Sequence, residues 1–257
     1  MLAPSGTARK VHPGLAIATY LLVVLLVVGF FWLSLSMVGV ALNFDFISQY
    51  WPRIWSGFCL TVEISLGSLI GSLILGLPVA VGQNSRILPV RYLCDLYVKV
   101  IRGTPLLAQI YLFFYIVGTA WGVDNRVLSG IIILSVFAGA YIAEIVRGSL
   151  NSLDQTQLET AQAVGFTHSQ TVRYVVIPQL LSRTLPALTG QFATIIKDSS
   201  LLSVIAVIEL TQTMREISST NFNLFGSYLF LAAIYLCLTL PIMAVSKWFE
   251  KRLTYAY

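Results

Sequence analysis

The sequence predicts an all-α polytopic membrane protein with about six membrane helices. Hydrophobic residues make up 57% of the 257 positions and charged residues only 11%, whereas soluble domains carry about 25% charged residues. The mean hydropathy of +0.82 agrees with that composition. A chain with so few charges cannot cover its surface with polar groups in water. Helices are the expected form, because a helix satisfies its own backbone hydrogen bonds in lipid.

Apolar runs of about 20 residues, enough to cross the hydrocarbon core, mark the predicted spans. They lie near 15–42, 57–82, 94–118, 127–148, 185–208 and 226–247. Polar residues interrupt the third and fifth. The first run is roughly twice as long as the 7–15 residues of a signal-peptide core. We therefore expect an uncleaved anchor over 15–42, preceded by a cytoplasmic tail over 1–14.

The distribution of Lys and Arg predicts the orientation. With six spans, one side of the membrane holds most of the basic residues: Arg9, Lys10, Arg86, Arg91, Arg147, Arg173, Arg183, Lys247, Lys251 and Arg252. The other side holds only Arg53, Arg126 and Arg215. The positive-inside rule then predicts that both termini and the loop 149–184 are cytoplasmic. The net charge of +5 is accounted for by this topology and by anionic lipid, so no nucleic-acid partner is expected.

Motifs of catalysis and metal binding are missing from the sequence. Cys59, Cys94 and Cys237 have no CxxC spacing, and His12 and His168 are far apart in the predicted topology. Neither a G-x-S-x-G nor a G-x-x-x-x-G-K-[ST] motif is present. We therefore expect no catalytic residue, no metal site and no cofactor in this chain. If transport uses ATP, another chain must bind it.

A polar stretch from Ser149 to Gln179 separates two apolar segments and has helix signals of its own. Two pairs have the spacing of a capping box, Ser152 with Gln155 and Thr167 with Gln170. Gly165 stands where a left-handed helix end is expected, and Pro178 is expected to end the second of the two helices. The pattern predicts two short helices, about 153–164 and 168–177. A solvated amphipathic loop and a docking surface are both compatible with it.

Part of this stretch resembles a known loop. The pattern Glu159-x-Ala161-x-x-x-Gly165, followed after nine intervening residues by Val175-x-Ile177-Pro178, is similar to the EAA loop of ABC importer membrane subunits. In that family the loop forms coupling helices that sit in a groove of the cytoplasmic ATPase. The departures are mild: Thr160 replaces a second alanine, Val175 an isoleucine and Ile177 a leucine. The resemblance implies that the motif residues bind an ATPase. They are Glu159, Ala161, Gly165, Val175, Ile177 and Pro178.

Three other stretches narrow the family. Ile101–Leu106 (IRGTPL), Tyr141–Gly148 (YIAEIVRG) and Lys197–Leu201 (KDSSL) resemble permeases of the polar amino acid uptake family, which serve glutamine, glutamate, histidine and arginine. Ser199, where threonine is commoner, is a minor departure. The resemblance covers roughly 55–252 and leaves the first span outside.

This resemblance implies a type I ABC importer transmembrane domain over 55–252, with the EAA coupling loop at 149–179. It also implies the partners. They are ABC ATPase subunits that bind ATP and Mg, a second permease copy or a paralogue, an extracytoplasmic solute-binding protein, membrane lipid and a polar amino acid as substrate. The expected location is the cytoplasmic (inner) membrane of a bacterium.

Charged residues inside the predicted spans are candidates for the substrate pathway. Asp198 lies about 13 residues into the fifth span, near the midplane at 1.5 Å per residue, where an ionisable side chain costs at least about 2.5–3.5 kcal/mol. Lys197 is its neighbour in sequence, and adjacent residues on a helix do not face each other. We hypothesise that Asp198 faces the pathway and meets a substrate ammonium. The alternative is a structural ion pair or a local helix break.

Glu63 and Arg102 are weaker candidates for the same pathway. Glu63, surrounded by apolar residues in the second span, is predicted to be a buried acid. It could belong to the polar cavity, bind a cation in the outer leaflet, or sit protonated against a neighbouring helix. Arg102, near the cytoplasmic edge, could snorkel to the interface or line the pathway. Thr104-Pro105 permits a kink in the third span. Glu144 and Arg147 have the i, i+3 spacing of an ion pair.

The expected function is that of a permease subunit powered by a separate ATPase. The main alternative is a self-contained secondary transporter or channel. That alternative predicts an inverted repeat or paired broken helices, and no repeat is visible. An intramembrane enzyme lacks a nucleophile and base.

Overall fold

The computed structural model describes residues 13–39 and 42–254. Residues 1–12, which form most of the predicted tail, and residues 40–41 near the end of the predicted first span lie outside the described residues. The chain divides into two units, residues 1–43 and 44–257. No described residue lies in a β-strand, in agreement with the predicted all-α class.

Within its described residues the first unit contains one helix, α1 (Pro13–Val38). Its 25-residue stretch from Gly14 to Val38 has a mean hydropathy of 2.7, and none of its most apolar window is buried inside the protomer. Apolar residues cover all sides of α1, which is the pattern of a helix surrounded by lipid.

The second unit consists of ten helices and their connections within the described residues. They are α2 (Phe46–Gln49), α3 (Trp51–Gln83), α4 (Leu88–Gly103), α5 (Leu106–Tyr111), α6 (Arg126–Asn151), α7 (Gln155–Ala163), α8 (His168–Thr171), α9 (Ile177–Asp198), α10 (Leu210–Asn221) and α11 (Leu224–Thr254). A π-helical segment extends α5 over Leu112–Gly118, another joins α8 to α9 over Val172–Val176, and a 3₁₀ segment follows α9 over Ser199–Ile205.

The core of this unit is the contact between α3 and α6. Glycines on α3 face α6 at Gly67, Gly71 and Gly76, and a Cβ added to Gly76 would lie 2.7 Å from the carbonyl oxygen of Gly139. Only glycine permits such a close approach of two helices. This glycine row therefore serves helix packing within one subunit.

The third predicted span is one of two that the structure corrects. It is not a single kinked helix, because α4 and the α5 segment meet at an angle of 110°. Thr104 adopts an extended conformation with ψ +146°, as expected for a residue that precedes a proline. The chain therefore turns sharply between Gly103 and Leu106, and the pair is either a broken span or a re-entrant loop.

The prediction of the fifth span as one apolar helix over 185–208 is wrong. α9 begins earlier, at Ile177, and ends at Asp198, and its polar side chains keep it out of the set of helices that are apolar enough to cross a membrane. The described residues contain four such helices, α1, α3, α6 and α11, or five with the bent pair. The predicted orientation stays a prediction.

Candidate functional site

The polar loop folds as two short helices joined by a glycine turn. Gly165 has φ +81°, and the N–H of the next residue, Phe166, donates to the carbonyl oxygen of Ala161 at 3.0 Å. The capping box of Thr167 and Gln170 is present as predicted. Glycine is favoured at such a helix end because it enters the left-handed region without steric cost.

Two details of the predicted loop are wrong. Ser152 does not begin a helix but stands directly after the end of α6, and Asp154 caps α7 instead, accepting from the Thr156 N–H at 2.9 Å. Pro178 does not end a helix either, because it lies in the first turn of α9. The π-helical segment directly before α9 shifts the backbone bonding there, which accommodates a residue without an N–H.

The motif residues of this loop occupy different environments. Glu159 is exposed on α7, and Ala161 is buried with 4% exposure. Val175 and Pro178 are half-buried, and Ile177 is 43% exposed at the start of α9. Glu159 is thus available to a partner, whereas Ala161 holds α7 against the rest of the loop.

Side-chain hydrogen bonds tie α7 and its entry to α9. The Gln179 amide donates to the side-chain oxygen of Gln157 on α7 at 2.5 Å. The Arg183 guanidinium donates to the hydroxyl of Ser152 at 2.6 Å and also to the Ser152 carbonyl oxygen. These hydrogen bonds connect α7 and the residue between α6 and α7 to the first two turns of α9.

The helix that receives these contacts extends without a break from the loop into the apolar region. α8, the π-helical segment and α9 follow one another directly from His168 to Asp198. At 1.5 Å per residue this run is about 45 Å long. It joins the exposed loop to Lys197 and Asp198 as one rod, and we call it the α8–α9 rod.

Exposed apolar side chains cover the loop beside Gly165. Val164 is 66% exposed and Tyr174 61% exposed. The Tyr174 ring lies 6.4 Å from the ring of Phe166, which is 40% exposed. Arg173 lies over the Tyr174 ring at 5.7 Å. An exposed aromatic and aliphatic patch next to an arginine is typical of a surface that binds another protein.

One side of α9 is polar and open, and we call it the α9 stripe: Gly190, Gln191, Thr194, Lys197 and Asp198. A Cβ added to Gly190 would have no atom within 4 Å, leaving out its chain neighbours and the helix's own nearby backbone. Lys197 is exposed and Asp198 half-buried. Neither side chain forms a hydrogen bond or an ion pair within the described part of the chain. Space and unsatisfied charge together are what a pathway for a polar solute requires.

Arg102 lies in a different place, near the C-terminal ends of α4 and α6. Its guanidinium pairs with Glu144 at 3.1 Å and lies 5.3 Å from the centroid of the Tyr141 ring. Arg147 also pairs with Glu144, which confirms the predicted i, i+3 pair. These charges line a cavity of about 380 Å³ together with Gln83, Asp95, Val98 and Lys99. The pathway role of Arg102 stays a prediction.

Glu63 is not the buried acid that the sequence predicts. The residue is exposed on the surface of the protomer, between the buried Thr61 and Ile64. Within the described chain no hydrogen bond or ion pair joins it to Lys197 or Asp198.

The acid that is fully buried is Glu209, which the sequence reasoning missed. Its residue exposure is 0%. Its carboxylate accepts from the N–H groups of Thr211 and Gln212 at 2.8 Å each and from the Tyr235 hydroxyl at 3.0 Å. It thereby caps α10 and joins it to α11. The signal was an acidic residue directly between an apolar run and a polar helix, in the N-cap position.

Residues 72–255 match the family model described as "Binding-protein-dependent transport system inner membrane component". The chain belongs to that family. Two transport permeases of Bacillus subtilis strain 168 are similar to this family member. A probable glutamine ABC transporter permease is 33% identical over 220 residues, which cover 86% of this chain and 100% of the relative. An L-cystine transport system permease is 34% identical over 218 residues, which cover 84% of this chain and 93% of the relative.

A solved amino acid ABC transporter, crystallised with histidines, has a chain that superposes with a TM-score of 0.77. That chain is 33% identical, and the match covers 83% of this family member and 100% of the solved chain. The predicted fold class, a type I ABC importer transmembrane domain, is confirmed by this likeness. The resemblance drawn from the sequence motifs is confirmed by the family match, so this family member is a multi-pass inner-membrane transport component.

Proposed function

We propose that this chain is the permease subunit of an ATP-binding-cassette importer that moves a polar amino acid across the cytoplasmic membrane. ATP and Mg are bound and ATP is hydrolysed in separate ATPase subunits docked on the EAA loop. The observation that carries the proposal is the α8–α9 rod, because it joins an exposed docking surface to charged residues in the apolar region. The family match and the permease relatives support the same function.

The substrate class is inferred from the relatives and from the charges of the α9 stripe. Glutamine and cystine appear in the names of the relatives, and the solved neighbour was crystallised with histidines. All three are α-amino acids with an ammonium and a carboxylate. Asp198 offers the charge that an ammonium needs, and Lys197 offers the charge that a carboxylate needs. We therefore assign Asp198 to the substrate ammonium.

The open side of the α9 stripe has to be covered by another protein surface if it is to enclose a pathway. A single protomer leaves Lys197 exposed and Gly190 facing empty space, and a charge facing lipid would cost several kcal/mol (about 2.5–3.5 on insertion scales). A second permease copy or a paralogue, placed against this side, would enclose the pathway. A solute-binding protein then delivers the amino acid from outside, with both termini of the permease in the cytoplasm.

Charge reversal on α7 tests the proposed docking. With Glu159→Lys, we expect the ATPase subunits to be lost from the purified complex, because Glu159 is the exposed acid of the docking helix. The matched control is Glu250→Lys, the same reversal on α11, which should leave the complex intact. Retention of the ATPase by Glu159→Lys, or transport by the chain alone without nucleotide, would contradict the proposal. The second result would establish a secondary transporter.

A further inference from the structure

The sharp turn between α4 and α5 lacks part of its backbone hydrogen bonding. We call this turn, formed by Thr104 and Pro105, the corner. Proline has no N–H, so Pro105 cannot donate to the carbonyl oxygen of Ile101, its partner four residues earlier in a continuous helix. Ile101 is buried, and a buried carbonyl oxygen without a donor is costly. The corner therefore needs a donor from elsewhere in the chain.

Gln109 on α5 supplies that donor. Its side-chain amide reaches back across the corner and donates to the Ile101 carbonyl oxygen at 2.7 Å and to the Thr104 hydroxyl at 2.7 Å. The same nitrogen lies 3.2 Å from the Thr104 carbonyl oxygen. Because carbonyl oxygens only accept, the amide has to present its nitrogen to them rather than its oxygen. The Thr104 hydroxyl in turn donates to the Val100 carbonyl oxygen at 2.9 Å.

Both arms of the corner are fixed to other parts of the protomer. On the α4 side, Arg102 pairs with Glu144 of α6. On the α5 side, Leu106 belongs to the same buried core cluster as Leu202 of the 3₁₀ segment, and α5 contacts that segment. The 3₁₀ segment directly follows Asp198. The corner thus connects the ion pair on α6 to the end of α9.

We propose that Gln109 is a positioning residue for transport. Its amide holds the corner bent, and the bent corner keeps α5 against the 3₁₀ segment that follows Asp198. Without the amide, no side-chain hydrogen bond joins α5 back to the end of α4, so the corner opens and α5 leaves its place. Asp198 is then no longer held where a substrate ammonium reaches it. This inference rests on the proposed function for its effect on transport, whereas the geometry of the corner is measured independently.

The test measures the corner in the assembled transporter, with the three cysteines of the chain replaced. Spin labels stand at Leu93 on α4 and at Val117 in the π-helical segment after α5, both of which are exposed. A straight helix would separate these positions by about 36 Å, and the bent pair holds them closer. Gln109→Met keeps the length of the side chain and removes its donors. We expect its mean label distance to lengthen by at least about 5 Å toward that of the straight helix.

The same variant is assayed for transport. Uptake of radiolabelled amino acid by Gln109→Met should fall at least about fivefold, because two hydrogen bonds are lost, with unchanged accumulation of the assembled complex. Thr104→Val removes only the hydroxyl acceptor and leaves the hydrogen bond from Gln109 to Ile101, so it should give a smaller change in both measurements.

A double variant separates the amide from the proline. Pro105→Ala restores a backbone N–H, which reaches the Ile101 carbonyl oxygen only if α4 and α5 straighten. With Gln109 in place, Pro105→Ala alone should keep the corner bent. The combination of Pro105→Ala with Gln109→Met should give a longer label distance than either single variant.

Gln83→Met is the matched control. Gln83 is another buried glutamine, and its amide donates to Asp95 at 3.0 Å, away from the corner. Its label distance should equal that of the wild type. A wild-type distance in Gln109→Met overturns the proposal even if uptake falls, because the residue then acts on transport by another route. So does a double variant with no longer distance than Gln109→Met, or an equal lengthening in Gln83→Met. If wild-type uptake needs no nucleotide, the proposed function fails, and the label distances still decide the role of Gln109 at the corner.

Discussion

The α3–α6 contact and the α9 stripe have opposite properties, although both belong to one protomer. At the α3–α6 contact the helices approach so closely that a Cβ on Gly76 would lie 2.7 Å from a backbone oxygen. Along the α9 stripe a Cβ on Gly190 would have no atom within 4 Å. The first region is a scaffold held by packing, and the second is a surface left open for a solute and a second wall. At the α3–α6 contact, glycine is needed so that the two helices can touch. In the α9 stripe, glycine stands beside empty space.

The largest effect is expected from a large side chain placed at the α3–α6 contact. Gly76→Leu would force the backbones of α3 and α6 apart, since no flexible side chain can move out of the way. Overpacking of a tight core costs about 1–3 kcal/mol or more, so we expect the protein to be lost from the membrane fraction. Immunoblotting of membranes measures this. Normal accumulation of Gly76→Leu would show that the scaffold is looser than its geometry indicates.

The second effect concerns charge on the α9 stripe. Asp198→Asn keeps the size of the side chain but removes the charge offered to the substrate ammonium. We expect uptake of radiolabelled amino acid to fall at least tenfold, since a charge-assisted hydrogen bond contributes about 1.5–3 kcal/mol, with unchanged accumulation of the protein. If uptake and substrate-stimulated ATP hydrolysis both match the wild type, Asp198 has only a structural role.

A smaller effect is expected where the loop is tied to α9. Arg183→Ala removes the hydrogen bonds to Ser152, so that motion of α7 is transmitted less completely. The ratio of amino acid transported to ATP hydrolysed should fall about two- to fivefold, for the loss of about 0.5–1 kcal/mol of connecting interaction. Parallel uptake and phosphate-release assays give this ratio. An unchanged ratio would mean that α8 and the Gln179–Gln157 hydrogen bond are enough to move the rod.

The smallest effect is expected at the open glycine. Gly190→Ala meets no neighbouring atom and improves helix propensity by up to about 1 kcal/mol. The thermal midpoint should therefore stay the same or rise, in contrast to Gly76→Leu. A clear fall in the thermal midpoint would mean that the α9 stripe is packed within the protomer.

The sequence predicted best those features that depend on local chemistry. The capping box of Thr167, the left-handed turn at Gly165 and the pair of Glu144 with Arg147 each need only a few neighbouring residues, and all three are present. The prediction that Ser152 caps a helix was wrong because both Ser152 and Asp154 are residue types that cap helices, and Asp154 is the one that does so. The hydrophobicity of the sequence predicted α3, α6 and α11 correctly, because these spans are apolar over most of their length.

Features that depend on tertiary structure could not be predicted. The 110° bend after α4 is set by where α5 packs, and Pro105 permits such a bend without fixing its angle. The burial of Glu209 and the exposure of Glu63 depend on which helices lie beside them. Apolar sequence neighbours made Glu63 look buried, although apolar residues in a membrane protein also cover the outer surface.

The central claim is that the α8–α9 rod moves as one body and transmits motion from the docking loop to Asp198. Spin labels at Ser169 and Gly190, in a chain whose three cysteines are replaced, should give a distance of about 30 Å from the helical rise. We predict that pulsed electron paramagnetic resonance gives the same distance, within about 2 Å, in nucleotide-free and vanadate-trapped transporter. The distance from Gly190 to a label at Val81 on α3 should change between the two states. A rod distance that changes while the distance to α3 stays constant would contradict the account.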